Sequence, residues 1–276
     1  MFEKIIELQG KEKGPTSMIL TGVHGNEPCG VIAFKKILPT LKVQRGRVFF
    51  GYGNPKAIKA GARFVESDLN RMFKNSALLS ASQIKSYEYK RAQFLKKYLK
   101  QADALLDLHS SRKPKSKVFV ICEANGFGIA KYLLVKLIVS GFDRVQPGGT
   151  DYYMNSIGKI GICIECGQHS DPKSVKRAQD AILAFLKARG HIANNLKPKE
   201  QSHLNVYHMY VTKTPIFTLT KYFKDFERVS KGQIIGTDGK TKVRSKRNSV
   251  ILFSGNEKEL GQEAFLLAQE KRGGRR

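Results

Sequence analysis

The clearest structural signal in this chain lies in residues 18–38, which read MILTGVHGNEPCGVIAFKKIL. The run Met18–Val23 is apolar and rich in β-forming residues, so it predicts a buried strand. Pro28–Leu38 places apolar residues at helical spacing and leaves two lysines on the opposite face. A strand, a short turn and a helix in this order predict the start of an open α/β sheet.

The alternation of strands and helices continues to about residue 190. The further strands that we expect are Val48–Gly53, Ala104–Leu108, Val118–Cys122 and Ile160–Cys166. The further helices that we expect are Ser82–Gln101, Ile129–Val139 and Ser174–Arg189. This order predicts an α/β fold with a mixed, mostly parallel central sheet and helices on both of its faces.

The chain changes character near residue 195. Asn194–His203 is polar and contains Pro198, which is typical of a linker. Beyond it we expect four short strands and a final helix: Val206–Val211, Ile216–Thr220, Gln233–Ile235, Ser249–Phe253, and a helix from about Glu257 to Lys271. The sequence thus predicts two domains, residues 1–194 and a small β-rich C-terminal domain of residues 195–276.

The composition is that of a globular protein with a large excess of positive charge. Hydrophobic residues make up 41% of the 276 residues, which excludes global disorder. The formal net charge is +26, and the basic residues are spread along the chain apart from short clusters at Lys242–Arg247 and Lys271–Arg276. Nucleic-acid modules more often interleave aromatic residues with a basic stripe. We therefore expect the charge to attract a small acidic substrate, and we expect no nucleic-acid partner.

The N-terminus shows no apolar leader, and no stretch approaches 18 uncharged apolar residues. The four cysteines are too few for a disulfide framework in a chain of this length. These features predict a reduced, cytoplasmic protein without a membrane partner.

A histidine and a glutamate follow the first strand, at the turn into the helix. In an open α/β sheet, ligands bind at the carboxyl ends of the strands. His24 and Glu27 are three residues apart at such an end, so they can direct two ligand atoms at one metal ion. A chance spacing of two polar residues is the alternative that this motif alone leaves open.

A second motif, Asp107-Leu108-His109, ends the strand expected at Ala104–Leu108. Alternation along the strand places Asp107 and His109 on the same face. A nitrogen from this strand end would complete a set of two histidines and one glutamate, which leaves zinc an open position for water. The alternative is a structural histidine held by its neighbours.

A third motif places Glu165 in an otherwise apolar strand. A carboxylate there must face a polar cavity or pair with a cation, because an unsatisfied one costs several kcal/mol. Beside a metal-bound water it would act as a general base and then as a proton donor, and a buried salt bridge is the alternative. Cys163 and Cys166 alternate onto opposite faces, so we expect small core residues and no structural zinc site.

A fourth motif is the loop from Arg63 to Arg71. Asn70 and Arg71 in tandem can bind a carboxylate, the arginine through its planar fork and the asparagine through its NH₂ group. Arg63 is a candidate to polarise a carbonyl group, and an ordinary polar loop is the alternative.

Taken together and in this order, the four motifs resemble the succinylglutamate desuccinylase/aspartoacylase family of the zinc carboxypeptidase clan. The matching strings are GVHGNE (22–27), NPKA (54–57), DLNR (68–71), YE and RAQ (87–88 and 91–93), DLH (107–109) and GICIECG (161–167). The resemblance covers about residues 18–170, and the β-rich C-terminal part resembles the smaller domain of the family.

The resemblance implies a zinc-dependent hydrolase with one Zn²⁺ per chain, bound by His24, Glu27 and His109. It implies that Glu165 is the general base and that residues 1–194 form the catalytic domain. The reaction implied is cleavage of an amide bond next to a carboxylate-bearing group, most simply in an N-acyl amino acid.

On the substrate side, the resemblance implies that Arg63 polarises the carbonyl and stabilises the oxyanion. Asn70 and Arg71 would hold the substrate carboxylate, and Asp68 would shape or support the pocket. The chain departs from the family where an arginine before the Glu165 strand is replaced by Asn155. A substrate-contacting tyrosine of the second domain also has no clear counterpart near Lys258 and Glu259, so the acyl group and the amino acid stay open.

Three alternatives remain open. The first is a metallocarboxypeptidase that acts on a peptide C-terminus, since a peptide also offers a carboxylate. The second is a basic nucleic-acid-binding protein without catalysis, which only the net charge of +26 favours. The third is a family member that binds its ligand but has lost catalysis.

Overall fold

The structure, a computed structural model, describes residues 3–271. The chain folds into two compact units. The larger unit comprises Met1–Ile138 and Pro147–Gln201, and the smaller unit comprises Val139–Gln146 and Ser202–Arg276. Among the helices of the described residues, none is both long enough and apolar enough to cross a membrane.

Strands and helices alternate over the first 190 residues, and strands dominate the rest of the chain. The strands are β1 (Ile6–Gln9), β2 (Glu12–Thr21), β3 (Arg45–Tyr52), β4 (Ala104–Ser111), β5 (Phe119–Cys122), β6 (Leu137–Ser140), β7 (Ile160–Gln168), β8 (Ser202–Val211), β9 (Phe217–Leu219), β10 (Glu227–Val229), β11 (Ile234–Asp238), β12 (Thr241–Arg244), β13 (Ser249–Leu252) and β14 (Glu263–Glu270). The α-helices are α1 (Pro28–Ile37), α2 (Pro55–Ala60), α3 (Ala81–Lys85), α4 (Tyr87–Leu99), α5 (Phe127–Ala130), α6 (Phe142–Val145), α7 (Thr150–Ser156) and α8 (Pro172–Ala188). Short 3₁₀ turns lie at Leu69–Arg71, Ser76–Leu78 and Ala124–Gly126.

The larger unit is built on a sheet of strand order β1-β3-β2-β4-β7-β5. The pairs β3/β2, β2/β4 and β4/β7 are parallel, whereas β1 pairs antiparallel with β3 and β5 pairs antiparallel with β7. The second half of β2 and most of β4 and β7 are buried, because parallel strands are covered on both faces. Their carboxyl ends lie side by side, and three of the four predicted motifs follow or end these strands.

The side chains of β2 show how both faces are covered. Ile19 packs in a cluster with Phe34 of α1 and Phe185 of α8. Met18 and Leu20 point the other way, into a cluster that contains Leu95 and other residues of α4. Helices therefore cover both faces of a mixed, mostly parallel sheet, and this confirms the predicted fold class.

The smaller unit contains an antiparallel sheet of order β8-β14-β13-β10. A second antiparallel sheet has the order β12-β11-β9. Its core consists of buried aromatic and aliphatic side chains such as Phe217, Phe223, Ile235 and Phe265. The prediction of a β-rich C-terminal part is confirmed.

Most predicted elements of the larger unit form close to their expected bounds, but two helices were predicted wrongly. The expected helix Ile129–Val139 is only the short α5 at its start, and its end is the strand β6. β-branched residues such as Ile138 and Val139 fit a strand better than a helix. The expected helix Ser82–Gln101 is split at Ser86, whose extended backbone ends α3 and whose hydroxyl caps α4.

The expected final helix from Glu257 to Lys271 is also wrong. Residues Glu263–Glu270 form the strand β14, which pairs with β8 on one side and β13 on the other. Gly261 precedes it with φ +81°, a backbone angle that a right-handed helix excludes. Tertiary pairing here overrides the helix preference of the alanine, leucine and glutamate residues.

Candidate metal and catalytic site

The turn between β2 and α1 brings His24 and Glu27 to the carboxyl end of the sheet. Gly25 lies against α2 so closely that a Cβ atom on it would sit 2.0 Å from the carbonyl carbon of Ala57. Glu27 occupies the N-cap position of α1, yet its side chain makes no capping hydrogen bond. The carboxylate points instead at two histidines, one from this turn and one from β4.

Three side chains converge at this point. The Nδ1 atom of His24 lies 2.8 Å from Glu27 Oε1, and the Nδ1 atom of His109 lies 3.0 Å from Glu27 Oε2. One ligand atom from each of the three residues lies within 4.8 Å of the other two. All three residues are buried, with 4%, 4% and 3% of their surface exposed. The structure therefore brings together a His-Glu-His group that could hold a metal ion.

The remaining nitrogen of each imidazole faces a second carboxylate. His24 Nε2 lies 3.1 Å from Asp68 Oδ1, and His109 Nε2 lies 3.3 Å from Asp107 Oδ2. Metal-binding histidines in proteins typically donate their other ring N–H to such a carboxylate, which fixes the ring. The two Nδ1 atoms and the Glu27 carboxylate are thus the donor set that a divalent cation would meet.

The electrostatics of this group are dominated by the carboxylates. Burial lowers the pKa of His24, but Glu27 and Asp68 outweigh it and raise that pKa above its usual value. Burial also lowers the pKa of His109, but Asp107 and Glu27 outweigh it and raise that pKa well above the usual range. Burial raises the pKa of Glu27, yet the two imidazoles bring it below its ordinary value. The carboxylates of this pocket therefore stabilise positive charge, which either protons on the histidines or a metal ion can supply.

Glu165 lies on β7 directly beside His109, its register partner on β4. Its Oε2 atom is buried and has no hydrogen-bond partner among residues 3–271. Burial and the nearby Glu27 carboxylate raise the pKa of Glu165 to about 7. Within the same residues no salt bridge neutralises it, so the alternative of a buried ion pair is not what the structure shows.

The loop that contains Arg63 closes over the same group. Arg63 donates to Asp68 Oδ2 from Nε (3.3 Å) and Nη2 (3.1 Å), and its Nη1 lies 3.8 Å from Glu27 Oε1. Asp68 also accepts from the backbone N–H of Asn70 at 2.8 Å and caps the 3₁₀ turn Leu69–Arg71. Burial raises the pKa of Asp68, but His24, Arg63 and Arg71 hold it well below its usual range.

Asn70 presents a buried Oδ1 atom without a partner among the described residues. Arg71 donates from Nη1 to the backbone carbonyl of Asn70 at 3.0 Å. Asn155, which stands where the family supplies a further arginine, is engaged elsewhere. Its Oδ1 accepts from Asn125 Nδ2 at 3.0 Å and from the Gly161 N–H at 3.1 Å, so it holds the turn before β7.

Four further residues beside this group were not predicted. Glu88 is fully buried and accepts hydrogen bonds from the backbone N–H groups of residues 65–67 and from Asn54 Nδ2, so it anchors the Arg63 loop. The Ser110 N–H donates to Glu27 Oε2 at 2.9 Å. Ser110 Oγ in turn lies 2.9 Å from Nδ1 of His169. Arg112 donates to the amide oxygen of Asn26 from Nε (3.1 Å) and Nη2 (2.8 Å).

Two signals could have pointed to some of these residues. His169 comes four residues after Glu165, just past the end of β7, and Arg112 comes three residues after His109. Burial lowers the pKa of His169, whose surroundings include Glu27, Arg112 and Arg63. Glu88 belongs to the matching string YE (87–88), but a glutamate in a helical stretch is usually solvated, so no role for it was predicted.

Among the described residues, no cysteine contributes a ligand atom to this group. All four are free and buried, and Cys163 and Cys166 lie in the core. Among the described residues, the only cluster with metal-ligand geometry is His24, Glu27 and His109. The prediction that the C-x-x-C pair consists of core residues is confirmed.

Comparisons with known proteins agree with the motifs. The sequence profile of the succinylglutamate desuccinylase/aspartoacylase catalytic domain matches residues 13–189. An N-acyl-aromatic-L-amino acid amidohydrolase (carboxylate-forming) from Xenopus tropicalis is 30% identical over 176 residues, which are 58% of this chain and 56% of that protein. A probable aspartoacylase from Nostoc sp. is 30% identical over 160 residues, 54% of each chain. The chain thus spans little more than half the length of these relatives.

The fold is shared with solved structures of low sequence identity. A succinylglutamate desuccinylase from Vibrio cholerae superposes with a TM-score of 0.82 at 18% identity, over 96% of this chain and 85% of that one. The likeness extends over nearly the whole chain, and the profile match covers the strands and turns that carry the motifs. The chain belongs to the succinylglutamate desuccinylase/aspartoacylase family.

Proposed function

We propose that this protein is a zinc-dependent amidohydrolase that releases the acyl group from an N-acyl amino acid. The observation that carries the proposal is the buried His24-Glu27-His109 group with the unpartnered Glu165 carboxylate beside it. The names of the relatives, an acyl-aromatic-amino-acid amidohydrolase and a probable aspartoacylase, support the substrate class.

Two imidazole nitrogens and one carboxylate are the ligands that zinc uses in hydrolytic sites, where a further position stays open. We propose that His24 Nδ1, His109 Nδ1 and Glu27 hold one Zn²⁺ per chain. When bound, the ion would polarise the amide carbonyl and lower the pKa of a water molecule. Asp68 and Asp107 would keep the two rings oriented through their Nε2 atoms.

Glu165 would move the protons of the reaction. The Glu165 carboxylate would take a proton from the attacking water and hand it to the amide nitrogen as the C–N bond breaks. The amide and one water thus become a carboxylate and an amine. A carboxyl with a pKa raised to about 7 is suited to both transfers at neutral pH.

Arg63, Asn70 and Arg71 would recognise the substrate. The Arg63 side chain is 40% exposed while its guanidinium reaches Glu27, so it can donate to the carbonyl oxygen as negative charge develops there. Arg71 offers a planar fork for a carboxylate, and Asn70 adds its NH₂ group. We therefore propose a small substrate that carries a carboxylate next to the amide.

Two further expectations stay proposals. We propose that residues 1–194 and 195–276 are the catalytic and C-terminal domains. We also propose that the protein works in the reduced cytoplasm, which its four free cysteines support.

The test combines zinc content by elemental analysis with hydrolysis of a substrate panel. The panel contains N-acetylaspartate, N-succinylglutamate, an N-acetyl aromatic amino acid and a dipeptide, the last for the carboxypeptidase alternative. Wild type and Glu165→Gln should both hold about one zinc, while the variant loses about 10²–10⁴-fold in kcat on the accepted substrate. The exposed Glu200→Gln is the matched control and should keep full activity.

Two results would contradict the proposal. The first is a wild-type protein that stays without zinc after zinc loading. The second is zinc in wild type with no panel amide cleaved faster than by Glu165→Gln, which would support a member that binds without catalysis.

A further inference from the structure

The smaller unit carries a groove of about 1190 Å³ that the proposed function does not use. Its charged lining consists of four cations and one carboxylate: Arg144, Arg228, Arg247, Lys271 and Glu270. We call this the basic groove. Its lining includes one residue from each short basic cluster of the sequence: Arg247 from Lys242–Arg247 and Lys271 from Lys271–Arg276.

The floor of the basic groove is polar. Gln269 of β14 and Asn205 of β8 are register partners and both line it. The Nε2 atom of Gln269 donates to the backbone carbonyl of Asn248 at 2.8 Å, which joins the floor to the loop before β13. Ser230 and Ser249 add hydroxyl groups. The lining therefore carries polar groups between its cations.

One segment that lines the basic groove, residues 228–248, contains few acidic residues. Residues 228–248 hold seven basic residues and one acidic residue, Asp238. Asp238 is 2% exposed and accepts hydrogen bonds from Tyr210, Lys213 and Thr214, so it is satisfied internally. The excess of basic residues in this segment adds to the positive potential at the groove.

The cations of the basic groove are weakly paired. Arg228 lies 3.9 Å from Glu270, and the two side chains are 90% and 77% exposed, so solvent screens the pair. Arg144 donates to the backbone carbonyl of Val206 at 3.4 Å. Arg144, Arg247 and Lys271 have no carboxylate within ion-pair distance among residues 3–271. An anion in the groove would relieve their mutual repulsion.

Arg247 and Tyr207 supply planar groups. The guanidinium carbon of Arg247 lies 5.0 Å from the centroid of the Tyr207 ring. The Tyr207 hydroxyl lies 2.7 Å from Ser249 Oγ, which holds the ring in place. Bases of single-stranded nucleic acids stack on guanidinium planes as well as on aromatic rings, so the exposed Arg247 guanidinium, which lies over Tyr207, offers a stacking platform.

Contrary to the expectation from the sequence, we propose that the basic groove binds a single-stranded nucleic acid through its phosphate backbone. Guanidinium forks match phosphate oxygens, and the amide and hydroxyl groups of the floor can meet base edges. A duplex would hide the base faces from Arg247 and Tyr207. A membrane surface fits less well, since the large exposed apolar residues of this unit, such as Ile216 and Leu260, do not line the groove.

The test uses the full chain and a fluorescein-labelled 20-nucleotide oligouridylate, with binding followed by fluorescence anisotropy over a range of NaCl concentrations. We expect a Kd in the micromolar range at about 0.1 M salt. The logarithm of the affinity should fall with the logarithm of salt with a slope of about 0.7 per neutralised phosphate. The triple variant Arg144→Gln, Arg228→Gln, Arg247→Gln should bind at least about tenfold more weakly and lose about 2 from the slope.

Three controls keep the result specific. A second triple variant, with Lys35→Gln, Lys36→Gln and Lys90→Gln, removes the same number of cations from the larger unit. Its affinity for the oligouridylate should be within about twofold of wild type. The double variant Arg228→Gln, Lys271→Gln changes only exposed side chains and tests the groove if Arg247→Gln disturbs Tyr207. Thermal unfolding of each variant verifies that it is folded.

Several outcomes would overturn the proposal. If the lysine control weakens binding as much as the groove variants do, the net charge alone binds RNA. Duplex RNA of the same length, poly-glutamate or anionic lipid vesicles that compete as well as the oligouridylate would show a different ligand. An unchanged affinity and salt slope in both groove variants would exclude the groove.

Discussion

The His24-Glu27-His109 group and the basic groove differ in how their charged side chains are buried and paired. In the first, every ionised side chain is buried and faces an opposite charge, as both nitrogens of His24 face carboxylates. In the groove, the cations are mostly without a carboxylate partner among residues 3–271, and the one pair found there, Arg228 with Glu270, is screened by water. A buried, paired group is set up for one compact ligand, whereas an open row of cations suits an extended anion.

The two regions should also respond differently to substitution. Removing one partner of a buried pair leaves an uncompensated charge, which is costly. Removing an exposed charge changes stability little, because water screens it. Losses of stability should therefore be largest where burial and pairing are greatest.

The largest effect is expected for Glu27→Gln. The glutamine cannot serve both imidazoles as a carboxylate does, so zinc affinity should fall by more than about 100-fold, the upper range for loss of a supporting residue. The free energy of unfolding of the metal-free protein should fall by about 3 kcal/mol. Zinc titration and urea unfolding measure both.

The matched control for this change is Glu270→Gln, the same substitution at the edge of the basic groove. Its carboxylate is 77% exposed, so stability and zinc content should stay at the wild-type level. If Glu27→Gln and Glu270→Gln lost equal amounts of unfolding free energy and of zinc, the two regions would not differ in the way proposed.

A smaller effect is expected for Glu88→Gln. The Glu88 carboxylate accepts hydrogen bonds from four donors, in residues 65–67 and Asn54, and a glutamine oxygen cannot replace both carboxylate oxygens. Unfolding free energy should fall by about 2 kcal/mol, since bonds to a charged acceptor are lost. KM should rise more than kcat falls, because the substitution frees the Arg63 loop while the metal ligands stay in place.

Steady-state kinetics on the accepted substrate and urea unfolding check this prediction. Glu12→Gln is the control, because its ion pair with Arg45 is more than half exposed on both sides. A Glu88→Gln enzyme with wild-type KM would show that the loop does not depend on this anchor.

A third, pH-dependent effect comes from His191 in the larger unit. The residue is fully buried, donates from Nδ1 to the Arg45 carbonyl and accepts at Nε2 from the Ser17 hydroxyl. Burial lowers the pKa of His191 below its ordinary 6.5. The unfolded chain therefore binds the proton more readily, and stability should fall as the pH drops below about 6.5, by less than about 1.4 kcal/mol per pH unit.

Urea unfolding at pH 5.5 and pH 7.5 measures this effect against His191→Gln. Glutamine can make both hydrogen bonds without titrating, so the variant should lose part of the acid sensitivity. An identical pH dependence in both proteins would assign the acid sensitivity to other groups.

The smallest effect on stability is expected for Arg228→Ala. Its side chain is 90% exposed, and its ion-pair partner among the described residues is Glu270. Unfolding free energy should change by less than about 0.5 kcal/mol, whereas the affinity for the oligouridylate should fall about two- to threefold. A clear loss of stability would show that the groove is paired more tightly than the distances indicate.

The strand ends of the larger unit could be predicted from the sequence with good accuracy. Three of the four motifs follow or end an apolar run, and parallel strands place such ends side by side. His24, Glu27, His109 and Glu165 could therefore be expected to lie near one another before their distances were known. The same logic could not supply Glu88, because its partners are backbone N–H groups 21 to 23 residues earlier in the chain.

The C-terminal strand shows the opposite case. Residues 263–270 carry alanine, leucine and glutamate, which favour a helix when considered locally. They form β14 because β8 and β13 offer strand edges on both sides. The helix propensities of these residues differ by only a fraction of a kcal/mol per residue, so pairing with two neighbouring strands can override them.

The sequence by itself determined the fold class, the family and the order of the chemical motifs. These depend on residue types at short spacing, which strand and helix periods translate directly into position. Only the tertiary structure showed that the Asp68 carboxylate faces the outer nitrogen of His24, that Glu88 anchors the Arg63 loop, and that scattered cations line one groove. Those features join residues far apart in the chain, and their contacts depend on burial and distance, which no local pattern records.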